Sequence, residues 1–311
     1  MGYLEHGKWM VGDVVPKAAS NGEFLRHESS FRETIDNKNS VHKPESGRYH
    51  LYVSYACPWA TRTLIMRKLK QLEEVVSLSL VSPNLGDHGW SFLADFAGVT
   101  ADNLMGKNYL YQIYTEASPT YTGKVTVPVL FDTKLKTIVN NESSEIVRIF
   151  NSAFDELTGN RDDYYPVELR QEIDKVNAFV YENINNGVYK AGFAQTQAAY
   201  DKNVKGLFDA LDKIEERLKG KSYLVGERLT EADVRLFVTL VRFDSVYYGH
   251  FKCNHKMIRE YPDLHRYLNA LYQRKPFRES THFNHIKQHY YYSQPSINPY
   301  RIVPIGPERL I

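Results

Sequence analysis

A strand handing over to a helix through Cys57-Pro58 constrains this chain more than any other stretch. Tyr49 to Tyr55 is rich in β-branched and aromatic residues, which predicts a strand. Thr61 to Leu69 carries apolar residues at helical spacing with basic residues between them. Pro58 suits the first helical position, where its missing N–H would have had no intrahelical partner. Cys57 therefore falls at the mouth of a helix, where unpaired N–H groups and the helix dipole favour an anion. A thiol placed there is drawn towards thiolate, its reactive form. A buried structural cysteine needs neither the proline nor the helix, so the pattern favours a reactive one.

The rest of the chain supplies the scaffold. Val75 to Val81 reads as a second strand, and Ser82 to Lys124 as a long insertion with no clear long helix. Trp90 lies in that insertion, either exposed beside a ligand or packed. Thr126 to Phe131 is a strand interrupted by Pro128, which implies an edge, a bulge, a strand start or a cis bond. Thr137 to Asn140 is its hairpin partner, and Asn141 to Glu145 opens a helix with a small polar cap. The order strand, helix, strand, insertion, strand, strand, helix makes an α/β domain over 48–154, with the insertion at 82–124. After a Gly/Asn/Asp/Pro loop the pattern is helical over 163–292, with predicted helices at 168–185, 198–218 and 264–272. Thr230 to Asp233 forms a capping-box start ahead of an apolar run. Residues 1–47 lack sustained periodicity and read as an extension, and 293–311 as a proline-bearing arm.

Composition narrows the function classes. A net charge of +2 and a pI near 8.3 are too balanced for nucleic acid or an anionic membrane as the main partner. No apolar h-region or membrane-length run is visible, and two cysteines make no disulfide framework, so a reducing cytoplasmic setting is expected. Twenty-three tyrosines would suit a planar oxygenated ligand, although most such residues simply fill half-buried positions. His282, His285 and His289 lie at helical spacing but lack a carboxylate motif; a polar helix face is the simpler reading and no metal is expected. Arg62, Arg67, Lys68 and Lys70 read as a solvated helix face.

Taken together, Cys57-Pro58-Trp59-Ala60, Trp90, Gly123 to Pro128, Asn140 to Ser143 and the tyrosine-rich end resemble the glutathionyl-hydroquinone reductases, the Xi class of cytosolic glutathione transferases. That resemblance covers essentially the whole chain. It implies a thioredoxin-like N-terminal domain joined to an all-α C-terminal domain, and a homodimer. It also implies glutathione as co-substrate, with Pro128 cis and the Val127 backbone facing the cysteinyl group. Glu142 and Ser143 would hold the γ-glutamyl end, Trp90 would flank the tripeptide, and Tyr189 and Tyr290 would bond quinol oxygens. Where the family usually has arginine this chain has Lys124, which keeps the charge without the planar fork. The expected chemistry is thiol transfer through a Cys57–glutathione disulfide. An omega-like thioltransferase or dehydroascorbate reductase, or a binding module of the same fold, are the alternatives. Cys253 reads as a bystander.

Overall fold

The computed structural model describes residues 2–12, 22–24, 28–38 and 40–307. They form two compact units, one within Met1–Val14 and His27–Asp162, the other within Val15–Arg26 and Asp163–Ile311.

The first unit is built on a four-stranded sheet ordered β4 (Val76–Leu80), β3 (Tyr49–Val53), β6 (Val129–Asp132), β7 (Thr137–Asn140). β3 runs parallel to β4 and antiparallel to β6, which pairs antiparallel with β7. Helix α1 (Pro58–Leu69) makes the parallel crossover from β3 to β4. Helix α3 (Ser143–Ser152) follows β7 and packs on α1, and a single turn, α4 (Asp155–Thr158), follows it. This β-α-β, β-β-α order is the thioredoxin-like arrangement. All five β3 residues are buried, as expected of an inner strand covered on both faces. Pro128 is accommodated by preceding β6 rather than by lying on an edge, and the Val127–Pro128 peptide is cis.

Three readings of this unit change. The chain's start contains a hairpin: β1 (Gly2–Glu5) pairs with β2 (Lys8–Val11) across a two-residue turn. His6 and Gly7 both take positive φ there, 48° and 77°, the backbone of the primed turns that suit strand twist. β1 also pairs with β5 (Gly123–Lys124), so part of the expected extension belongs to a second, three-stranded sheet. The extension is also anchored further along, at residues 31 and 32. Phe31 N donates to Asn141 Oδ1 at 3.1 Å, and Arg32 pairs with Glu145. Second, the cationic face of α1 is not solvated. Arg67 is buried and donates to the carbonyls of Val76 and Glu73 at 2.8 and 2.9 Å. Lys70 is wholly buried between Asp155 (2.9 Å) and the Asp162 carbonyl (2.6 Å). Arg62 is buried too, over the Trp59 ring. A buried cation persists only where such acceptors take it up. Third, the insertion contains a short helix, α2 (Leu110–Ala117), and is folded back by buried Asp102. Asp102 accepts from Tyr52 Oη (3.1 Å), Leu104 N (3.2 Å) and Lys107 N (2.9 Å).

The second unit is helical. α5 (Arg170–Val180) runs into a π-helical turn, Tyr181–Asn185, and then α6 (Gly187–Gly192). α7 (Gln197–Leu218) is capped by Thr196, whose hydroxyl accepts from Ala199 N. α8 (Glu231–Arg242) is buried along its whole length and ends in a second π-helical turn, Phe243–Tyr247. Its Val, Leu and Phe side chains each contribute roughly 1.5–3 kcal/mol by leaving water. Its start is the capping box read from the sequence, with Asp233 accepting from Thr230 N at 2.8 Å. α9 (Pro262–Tyr272), the short α10 (Lys275–Arg278) and α11 (Phe283–Ser293) complete the unit. His285 and His289 on α11 are buried, so the polar face expected there is turned into the unit. Among the described residues no helix is long and apolar enough to cross a membrane.

Candidate active site

Cys57 is the N-cap of α1, in extended conformation (φ −76°, ψ 121°), with Pro58 in the first turn. Its backbone is fixed from both sides. Cys57 N donates to Ser54 O at 3.2 Å, and Cys57 O accepts from Thr61 N and Thr61 Oγ1 at 3.0 and 2.9 Å. The side chain is 9% exposed, and no acidic residue occupies the first turn of α1 to oppose an anion. The thiol donates a weak hydrogen bond to the Val127 carbonyl, Sγ to O 3.6 Å. The nucleophile candidate therefore touches the residue whose peptide to Pro128 is cis.

The remaining candidates of this unit lie at the start of α3, on β5 (Gly123–Lys124) and in the insertion. Glu142 is the N-cap of α3, and its carboxylate caps its own helix by accepting from Ser144 N at 3.1 Å. The expected small polar cap is thus a carboxylate. It also accepts from Ser144 Oγ (2.9 Å) and Ser29 Oγ (3.0 Å). Ser143 follows in the first turn, its hydroxyl 3.5 Å from Arg62 Nη1. A carboxylate, a hydroxyl and a helix N-terminus side by side form an acceptor and an anion site together, which suits an α-amino acid end. Lys124 lies on β5, its backbone opposite Tyr3. Trp90 is 9% exposed, so it packs into the unit rather than standing open.

One residue that the sequence reading passed over ties these parts together. Tyr114 on α2 is buried, and its hydroxyl donates to Thr126 O (2.9 Å) while accepting from Thr126 N (3.2 Å) and Asn141 Nδ2 (3.1 Å). It links the residue before Val127 to the residue before Glu142. Burial pushes the Tyr114 phenol up to about 12, so it stays protonated.

In the helical unit Tyr189 and Tyr290 are in contact, Oη to Oη 2.5 Å. Tyr247, also missed, lies 2.9 Å from Tyr290 Oη. Burial pushes the Tyr247 and Tyr290 phenols well above their ordinary range. Cys253 is buried and its thiol is pushed up by burial, leaving it protonated. Among the described residues no cluster of His, Cys, Asp and Glu is arranged to hold a metal ion.

Comparison with known proteins agrees with this geometry. The family profile "Glutathione S-transferase, N-terminal domain" matches residues 56–153, and "Glutathione S-transferase, C-terminal domain" matches 197–270. Glutathionyl-hydroquinone reductase PcpF of Sphingobium chlorophenolicum is 52% identical over 99% of this chain and 96% of its own. The crystal structure of the glutathione transferase Xi from Phanerochaete chrysosporium superposes with a TM-score of 0.93 at 52% identity, over 95% of this chain and 96% of that one. The chain belongs to the glutathione transferases, and within them to the Xi class. The glutathione-bound structure of Escherichia coli K-12 YqjG is another near neighbour, with a TM-score of 0.91 at 45% identity over 99% of this chain and 96% of that one. In the transferase fold the thioredoxin-like unit is the N-terminal domain and the helical unit the C-terminal one. Cys57 and the cis peptide both fall in the former.

Proposed function

We propose that this transferase reduces glutathionylated hydroquinones, using glutathione, to the free hydroquinone and oxidised glutathione. The observation that carries the reading is Cys57 at the α1 N-terminus, 3.6 Å from the Val127 carbonyl beside a cis peptide. Transferases that conjugate leave glutathione as the nucleophile. A cysteine in that place is itself the nucleophile, and its product is a mixed disulfide.

In the first half-reaction the Cys57 thiolate attacks the sulfur that joins glutathione to the ring. An S–S bond forms and the ring carbon–sulfur bond breaks. The ring keeps the electron pair, spread towards its oxygens, and takes up one proton, so the hydroquinone leaves. In the second half-reaction a glutathione thiolate attacks the Cys57–glutathione disulfide. Oxidised glutathione leaves and the Cys57 thiolate returns. The sum is balanced: two electrons pass from the thiols to the ring carbon.

Each candidate has a role in this cycle. The Val127 backbone, ahead of Pro128, pairs with the cysteinyl unit of glutathione. The Glu142 carboxylate meets the γ-glutamyl ammonium, and the Ser143 hydroxyl with the α3 N–H groups meets its carboxylate. Trp90 flanks the tripeptide, and Lys124 supplies a cation to its other carboxylate. Tyr189 and Tyr290 polarise the hydroquinone oxygens, where charge develops as the carbon–sulfur bond breaks. The substrate named for PcpF, a glutathionyl-hydroquinone, supports this assignment. We propose in addition a cytoplasmic homodimer, on the same likeness and the low cysteine content.

The test is turnover of a glutathionylated hydroquinone with glutathione, wild type beside Cys57→Ser. Activity lost in the variant, with a glutathione-mass adduct on wild-type Cys57, is the expected result. A wild type inactive on this substrate but glutathionylated and active on other disulfides or on dehydroascorbate would assign the omega-like activity instead. No turnover and no adduct would make the chain a binding module.

A further inference from the structure

Residues 29–33, in the extension ahead of β3, run antiparallel to the end of β7 and carry the sheet past it. Glu33 N donates to Val139 O at 2.9 Å, Arg32 lies opposite Asn140, and Asn141 N donates to Phe31 O at 3.1 Å. Side chains close the same contact: Phe31 N donates to Asn141 Oδ1 (3.1 Å), and Asn140 Nδ2 donates to Glu33 O (3.0 Å). The Phe31 ring stacks on Tyr121 at 5.5 Å and stands edge-on to Tyr114 at 5.9 Å. Arg32 is taken up by Glu145 on α3, through both Nε and Nη2. This strap delivers Ser29 to the start of α3.

There the Ser29 hydroxyl lies 3.0 Å from Glu142 Oε2 and 3.3 Å from the Asn141 carbonyl. A carboxylate and a carbonyl only accept, so Ser29 is the donor to either, and the shorter contact, to the charged partner, is the stronger. A carboxylate offers about four lone-pair directions. Ser144 N (3.1 Å) and Ser144 Oγ (2.9 Å) take up those of Oε1, and Ser29 takes one at Oε2. Among the described residues the direction left open is therefore on Oε2, the oxygen that Ser29 holds. No lysine or arginine among them forms an ion pair with Glu142, since Arg32 is committed to Glu145. Glu142 is half-buried, so that direction is within reach of a ligand. The terminal torsion of a glutamate is soft. Ser144 pins one oxygen and leaves the other to swing about it; Ser29 pins the second.

We infer that Ser29 is a positioning residue for glutathione, which acts through Glu142 to aim its open carboxylate direction at the α-ammonium of the γ-glutamyl end. The extension is thereby part of the binding site, and what it selects is a thiol with a free ammonium at that end. This inference rests on the γ-glutamyl role proposed above for Glu142. A carboxylate already held in place gives up little side-chain freedom when the ammonium arrives, so the gain belongs to affinity.

The experiment is calorimetric binding to the full chain, without oxygen, for wild type and Ser29→Ala. Two ligands are compared, glutathione and its des-amino analogue glutaryl-cysteinylglycine, which lacks only that ammonium. Wild type is expected to bind glutathione about tenfold more tightly than the analogue, or better. Ser29→Ala weakens glutathione about tenfold, the scale of one hydrogen bond to a charged group, and leaves the analogue within about twofold of wild type. A strap that merely holds the unit together would weaken both ligands alike, and that result overturns the inference. So does a glutathione affinity that is unchanged or raised in Ser29→Ala. A wild type that binds the two ligands equally is a different failure: Glu142 then meets no ammonium, and its γ-glutamyl role falls together with the inference. Binding as expected beside no turnover of a glutathionylated hydroquinone upholds the inference and refutes the reductase reading alone.

Discussion

Tyr114→Phe removes one oxygen from the fold and tests whether the proposed glutathione cradle is held from behind. The Tyr114 hydroxyl joins Thr126 (2.9 Å to O, 3.2 Å from N) to Asn141 Nδ2 (3.1 Å), and so joins the approach to Val127-Pro128 to the approach to Glu142-Ser143. The ring stays in place in the variant, so little packing is lost. Thr126 is exposed and water can replace its lost partner at small cost. Asn141 is 5% exposed and its amide has no such recourse. Leaving that donor unmet costs about 1–3 kcal/mol, and the chain can relieve it only by shifting Asn141 and the Glu142-Ser143 pair that follows. A shift that relieves about 1.4 kcal/mol of this at the expense of the cradle raises KM for glutathione about tenfold. Stability should fall by a similar amount, lowering the melting temperature by a few degrees. The assay is steady-state kinetics with glutathione varied and the second substrate saturating, beside thermal unfolding. A lowered melting temperature with an unchanged KM for glutathione would refute the reasoning, for it would show that Tyr114 stabilises the unit without placing the cradle.

Two further perturbations bear on the scaffold. His50 is buried on β3 between Ser77 Oγ (2.7 Å) and Ser79 Oγ (2.9 Å), and burial pushes its imidazole down to about 4. Its folded value lies below the unfolded value of about 6.5, so the neutral ring stabilises the fold above pH 6.5; that stability is lost as pH falls from there to about 4, roughly 3 kcal/mol in all. Urea midpoints measured between pH 4 and 7 should show this slope in the wild type and a flatter one in His50→Gln, and parallel slopes would count against it. Asp233→Ala leaves the donors of Leu224 N, Thr230 N and Tyr267 Oη, all at 2.8–2.9 Å, without an acceptor in a buried site, and should cost about 4 kcal/mol by denaturant titration. A loss below about 1 kcal/mol would mean the α8 start is held by packing alone.

The parts of this protein written in local chemistry were legible before any coordinates. Proline after cysteine restricts the backbone within two residues, so the strand-to-helix junction at Cys57 could be placed from sequence. The Thr230/Asp233 capping box is equally local, four residues that satisfy one another. What failed were inferences that depend on partners outside the element being read. Arg67 and Lys70 looked solvated because their carbonyl acceptors, from Val76 and Glu73 and from Asp162, are not adjacent on the helix. Trp90 and Tyr114 lie in an insertion with little periodicity, and only the folded contacts give them a place. Tyr247 sits in a π-helical turn, where the 3.6-residue period that would have put it on the face of α8 is broken. The β1–β2 hairpin was missed because His6 stands where the usual Asn or Asp would announce a two-residue turn, and four-residue strands seldom stand out.

The cysteine count decides how the cycle must end. Resolving the Cys57–glutathione disulfide within the chain would require a second thiol that is ionised and can reach it. The sequence has only Cys253 besides, and that residue is fully buried with its thiol raised by burial. A protonated, enclosed thiol is a poor attacking group. Resolution therefore falls to a second molecule of glutathione from solution, and the two half-reactions must alternate. Steady-state kinetics should give parallel double-reciprocal lines as glutathione is varied at several concentrations of the hydroquinone conjugate. Cys253→Ala should leave those lines in place, and mass spectrometry of the enzyme starved of glutathione should find one glutathione adduct per chain and no Cys57–Cys253 disulfide. Intersecting lines would require both substrates to bind before sulfur moves. That outcome would return the nucleophile's role to glutathione and reduce Cys57 to a residue that stabilises its thiolate.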